Sequence, residues 1–107
     1  MNPASAPGFS PEELRAHADS ACALLKALAN TDRLMLLCSM GAERRNVSEL
    51  EAATGIRQPS LSQQLAVLRQ EGLVTTEKEG KYVYYRLSNA NALRVMQTLA
   101  GIFCAAS

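Results

Sequence analysis

The hydrophobic period along this chain switches from helical to alternating and back, and each switch marks an element. Ala21, Leu24, Leu25 and Leu28 form one stripe of a first helix running to about Ala29. Ser10-Pro11-Glu12-Glu13 supplies its capping box, with proline at the first helical position. A second helix is predicted over about Thr31–Met40, turning Leu34, Leu37 and Cys38 inward. The stretch Val47–Val74, VSELEAATGIRQPSLSQQLAVLRQEGLV, then reads as two short helices with both ends marked. The first opens behind Asn46, with Glu49 three residues on, and ends at Gly55, which tolerates a left-handed cap. Ile56 wedges into the turn as a core contact. The second starts near Pro59, where a missing N–H costs nothing, and stops at Gly72. Leu61, Leu65 and Leu68 share its inner face.

Beyond Gly72 the period becomes two. Leu73–Glu77 and Tyr82–Leu87 are strand-like runs joined by Lys78-Glu79-Gly80-Lys81. Val83, Tyr85 and Leu87 alternate with Tyr82, Tyr84 and Arg86, and Gly80 supplies the positive φ that a tight hairpin needs. Helical spacing then returns in Leu93, Met96, Leu99, Ala100 and Phe103, behind a cap at Asn89 or Asn91. The predicted fold is therefore mainly α with a β-hairpin wing, in the order ααααββα: a winged helix-turn-helix. A helix this apolar at the end of the chain, with a Leu/Ala-rich helix at its start, predicts a homodimer through the first and last helices; packing within one chain is the alternative.

The outer face of the second short helix carries Ser60, Ser62, Gln63, Arg69 and Gln70. Such side chains donate and accept toward base edges and phosphates, so the helix suits a DNA major groove; a helical hairpin with a solvated face is the bland alternative. Lys78, Lys81 and Arg86 place cations where a hairpin could touch phosphate or minor groove, although surface lysines are also ordinary. Two copies would read half-sites about one helical turn (~34 Å) apart.

Composition narrows the picture. At 107 residues and 48% hydrophobic, the chain is one soluble domain over residues 10–107, behind a disordered tail over residues 1–9. That N-terminus lacks the pattern of a secretory signal, and no apolar run approaches the ~20 residues that span a bilayer, so the expectation is cytoplasmic. The net charge of +1 requires any DNA affinity to come from local placement and from doubling the cations in a dimer. The single His17 reads as surface. No Cys-x-x-Cys and no local Cys–His pairing is present, which leaves an enzyme without machinery and calls for no cofactor.

The element order, with LLKALANTDRLMLL, the Val47–Val74 stretch and GKYVYYRLS, resembles the ArsR/SmtB family of bacterial winged-helix repressors. The resemblance runs from about Ala21 to Cys104. It implies a homodimeric repressor that leaves its double-stranded operator when an inducer binds or modifies it. By position it offers Gln58, Ser60, Ser62, Gln63 and Gln64 to DNA. Many relatives carry His at one of the two positions held here by Gln63-Gln64, a departure that keeps hydrogen bonding and bears on base preference.

Metal-sensing members place Cys-x-Cys near the first helix of the helix-turn-helix, or carboxylates and imidazoles on the last helix. Here 46–55 contains neither Cys nor His, and 88–107 contains no Asp, Glu or His, so neither zinc site can be built. Three cysteines are present: Cys22, Cys38 and Cys104. The positions of Cys38 and Cys104 resemble the dithiol of the sulfide- and persulfide-responsive branch, where oxidation bridges the second and last helices. The resemblance implies persulfide or another thiol oxidant as inducer. If the pair lies beyond the ~7 Å Cα separation of a disulfide, inserted sulfurs would span the gap. An apolar setting for Cys38 and a helix C-terminus at Cys104 both oppose thiolate formation. Three readings stay open: this dithiol; an arsenite site built from Cys22, Cys38 and Cys104; and cysteines that only pack, as Cys22 most simply does.

Overall fold

Side chains begin four of the five helices. The computed structural model describes Gly8 and residues 10–41 and 43–104. Apart from Gly8, the predicted tail lies outside the described residues. Helix α1 (Pro11–Leu28) starts where Ser10 Oγ accepts the Glu13 N–H at 3.2 Å, one half of the predicted box. In α2 (Thr31–Ser39) Asn30 Oδ1 accepts from Arg33 N. Strand β1 (Arg45–Asn46) leads directly into α3 (Val47–Thr54), whose capping box is complete: Asn46 and Glu49 exchange bonds of 2.9 Å in both directions. Gly55 ends α3 at φ 76°. Asn89 caps α5 (Ala90–Phe103) by accepting from Ala92 N.

Helix α4 (Ser60–Gln70) is the exception. Pro59 sits at the cap rather than inside the helix, and it has no side-chain acceptor. Gln58 does that work from one residue upstream: its Oε1 accepts from the Ser62 N–H at 3.0 Å and the Ser62 hydroxyl at 2.6 Å. At the other end Gly72 turns to φ 75°. The Gly72 N–H bonds to Arg69 O and the Leu73 N–H to Leu68 O, the paired closure of a Schellman motif. Leu73 is thereby folded back into the core.

The wing is β2 (Val74–Glu79) and β3 (Tyr82–Leu87), antiparallel, in register from Val74↔Leu87 to Glu79↔Tyr82. Its loop is two residues, Gly80-Lys81, with Gly80 at φ 62°; Lys78 and Glu79, expected in the loop, belong to β2. The third strand was not anticipated. β1 pairs with β3 through Arg45↔Tyr85 and Asn46↔Tyr84, giving the sheet order β1-β3-β2.

One core joins Leu36, Leu37, Met40, Leu50, Ile56, Leu61, Leu65, Leu68, Leu73 and Val74, with Tyr85 and Leu87 packed against it. One expectation fails here. Cys38 is exposed, because Leu36, Leu37 and Met40 take the inward positions of α2. The apolar stripe of α1 is also only partly covered: Leu28 is buried, whereas Leu25 is 58% exposed. In α5 Ala92 alone is buried, and Ile102 and Phe103 are 65% and 78% exposed. Among the described residues no helix is long and apolar enough to cross a membrane.

Leu61 is fully buried beneath α4. Leu61→Ala is expected to cost about 2–5 kcal/mol, read as a lower midpoint in urea with an unchanged slope.

Candidate DNA-reading face and cysteine groove

Burying Leu61, Leu65 and Leu68 leaves Ser62, Gln63, Ala66, Arg69 and Gln70 exposed along the opposite face of α4. Of the predicted DNA contacts, Ser62, Gln63 and Arg69 lie here. Gln58 is exposed beside them but is occupied in capping Ser62. Ser60 and Gln64 are half-buried and turn toward α2. The Ser60 hydroxyl donates to Asp32 at 3.3 Å, and Gln64 Oε1 accepts from Arg33 Nη1 at 2.9 Å.

Arg33 is the residue that pattern reading missed. Its Nε donates to Ala27 O at 2.6 Å and its Nη2 to Lys26 O at 3.1 Å, both in the last turn of α1. A guanidinium at a helix C-terminus meets free carbonyls and the negative end of the dipole. With Gln64 as a third partner, one planar cation holds α1, α2 and α4 in fixed relation. No periodicity signals such a role. The Gln58 cap was more accessible, since a proline with no acceptor at the helix start leaves amide donors to be satisfied from elsewhere.

The wing separates its charges by face. Lys78 lies opposite Val83 in the register, on the side shared with Tyr85. Tyr85 lines a groove of about 420 Å³ with Ser62, Ala66 and Arg69 of α4. Arg86 falls on the other side with Glu77, Glu79, Tyr82 and Tyr84. There Arg86 Nε bonds to Glu77 at 3.0 Å, and Arg44 reaches both Glu77 and Glu79 while lying 4.2 Å from the centre of the Tyr84 ring. Lys81, at the turn, has its ammonium 5.4 Å from the Tyr82 ring centre. The hydrogen bond from Arg86 holds the Glu77 carboxyl below its ordinary value; desolvation opposes it, and the charges of Arg86 and Arg44 reinforce it.

Cys38 and Cys104, from α2 and α5, line a single apolar groove of about 670 Å³ with Leu34, Met35, Met96 and Phe103. Both thiols are exposed and free. Cys22 is elsewhere, in a groove of about 540 Å³ between α1 and α4 beside Lys26, Arg33 and Glu71. The three sulfurs are therefore not gathered within one chain. Among the described residues no three His, Cys, Asp or Glu side chains cluster as metal ligands.

Comparison with known proteins agrees with this architecture. Residues 30–76 match the family model of the arsR family of bacterial regulatory proteins. A biofilm growth-associated repressor of Agrobacterium fabrum is 51% identical over 82 residues, spanning 77% of this chain and 70% of that protein. The crystal structure of the transcriptional repressor BigR from Xylella fastidiosa superposes with a TM-score of 0.85 at 42% identity, covering 90% of this chain and 98% of that one. Reduced HlyU from Vibrio cholerae gives 0.82 at 38% identity, with 87% and 98% covered.

Since Glu77 titrates lower folded than unfolded, its ion pairs contribute in full above pH 4.5 and are lost as the pH falls through the depressed value. Carboxyl-carbon NMR should give a Glu77 midpoint below 4.5, and Arg86→Gln should return it toward that value.

Proposed function

This chain belongs to the ArsR family of bacterial regulatory proteins, and on that premise we propose a DNA-binding repressor switched by its cysteines. The working unit is a homodimer. The apolar surface left open on α1 and α5, at Leu14, Leu25, Ile102 and Phe103, supports pairing through those helices. Each copy presents α4 to a major groove, where Ser62 and Gln63 read base edges and Arg69 takes phosphate or base. Lys78 and Lys81 reach the flanking backbone. Gln58, Ser60 and Gln64 act at one remove, by fixing the start and tilt of the reading helix.

The observation that carries the switch is the shared groove of Cys38 and Cys104. One thiol belongs to the core helix α2 and the other to the end of the dimerising helix α5. A bond between them ties the dimer contact to the body of the subunit and alters the separation of the two α4 helices. A change of a few ångströms breaks register with successive major grooves. The chemistry balances with a low-molecular-weight persulfide, RSSH, as oxidant. Two cysteine thiols and one RSSH yield a disulfide, RSH and H₂S. Each further RSSH consumed inserts one sulfur into the bridge and releases one RSH. An exposed, reachable thiol pair suits this exchange.

Glutathione persulfide should produce a Cys38–Cys104 bridge in intact-protein mass spectra and weaken a gel shift on the protein's own upstream DNA. Cys38→Ser and Cys104→Ser should abolish both effects, and Cys22→Ser should leave them in place. Unlinked thiols with unchanged DNA binding would contradict the switch. An arsenite response that requires Cys22 would favour the three-thiolate alternative. Ile102→Glu with Phe103→Glu should reduce the mass in light scattering from twice 11.5 kDa to the single-chain value.

A further inference from the structure

The wing presents two chemically different faces, and the outer one is neutralised from within. The side shared with α4 carries Lys78, together with Arg69 across the groove. The opposite side carries Arg44 and Arg86, and each is bonded to an acid of the same hairpin. Glu77 holds both guanidinium groups at 3.0 Å, and Glu79 holds Arg44 a second time. Two arginines therefore meet two carboxylates on a surface turned away from the reading helix. All four side chains retain substantial exposure, from 28% for Arg44 to 66% for Glu79.

A bare pair of arginines on an exposed β-sheet face is a phosphate-binding surface. Guanidinium groups bind phosphate through the same paired donors that here bind carboxylate. Arg44 is moreover pre-positioned on Tyr84. Such a face would engage any duplex by charge alone, in orientations that keep α4 out of the groove. In a chain of net charge +1, two unpaired arginines would be a large share of the attraction available to non-sequence-specific DNA.

We infer that Glu77 and Glu79 are specificity-determining residues, occupying Arg44 and Arg86 so that the back of the wing does not become a second DNA-binding face. The carboxylates stand where phosphate oxygens would otherwise sit. Discrimination arises from a built-in cost to the wrong complex rather than from an added contact in the right one. Operator binding loses little, because it proceeds through α4 and Lys78 on the other side. This inference rests on the DNA-binding reading above.

The test compares wild type, Glu77→Gln and Glu77→Gln/Glu79→Gln on two duplexes of equal length: the protein's own upstream DNA and a scrambled sequence. Fluorescence anisotropy is measured from 50 to 200 mM salt, and circular dichroism verifies the fold of each variant. The double variant should bind scrambled DNA about ten-fold more tightly at 50 mM salt, with the slope of log affinity against log salt steeper by about one to two phosphate contacts. Its affinity for upstream DNA should change less than about three-fold, so the preference between the two sequences falls. Glu77→Gln alone should lie between, since Glu79 still holds Arg44. Unchanged affinity for scrambled DNA, or equal tightening on both duplexes, would overturn the inference while leaving the DNA-binding reading intact. A wild-type protein without preference for its upstream DNA would contradict that underlying reading, and the inference with it.

Discussion

The leucine face of α4 is the constraint from which the rest of the molecule follows. Leu61, Leu65 and Leu68 are buried against the α2 and α3 leucines, so the rotation of the helix about its axis is fixed by the hydrophobic effect. At about 1.5–3 kcal/mol for each buried leucine, no polar contact on the outer face competes with that choice. The direction of the helix is then fixed by its ends. Gln58 closes the N-terminus, the Gly72 turn closes the C-terminus and delivers Leu73 to the core, and Arg33 ties the middle to α1 through Gln64. What faces outward does so because everything else on the helix is committed.

The sheet extends the same logic to charge. A hairpin alternates its side chains between faces, so a run such as Thr75–Glu79 distributes its ionisable groups by parity. Lys78 is directed to the side of α4, while Glu77 and Glu79 go to the side of Arg86 and Arg44. The charge of the sheet is thus unevenly distributed, with Lys78 on the side of α4 and Arg44 and Arg86 ion-paired behind it. A modest charge total is compatible with DNA recognition when the placement is this selective.

Much of this was legible in the sequence because local physics decided it. Caps at Ser10, Asn46 and Asn89, the glycines at 55, 72 and 80, and the leucine spacing of α4 each constrain only a few neighbours, and each was found where the pattern put it. The features that escaped depend on residues distant in the chain. β1 is two residues long, too short to show a period, and exists because β3 offers it an edge. Arg33 contacts Gln64 across 31 positions, and Arg44 contacts Glu77 across 33. Cys38 departs from its helical spacing for a related reason: α2 packs on two sides, and its inward positions are Leu36, Leu37 and Met40. An exposed Cys38 is open to reagents that a buried one would not meet.

In the proposed switch the Cys38/Cys104 groove is the input and the α4 face the output, joined through the distance between two copies of α4. Pulsed electron–electron resonance measures that distance directly, with a spin-labelled non-cysteine side chain in place of Gln70 in each subunit. Persulfide treatment without DNA should move the distance distribution by a few ångströms, with no movement in the Cys38→Ser protein. An unchanged distribution in a bridged protein that has nonetheless lost its operator would contradict the account.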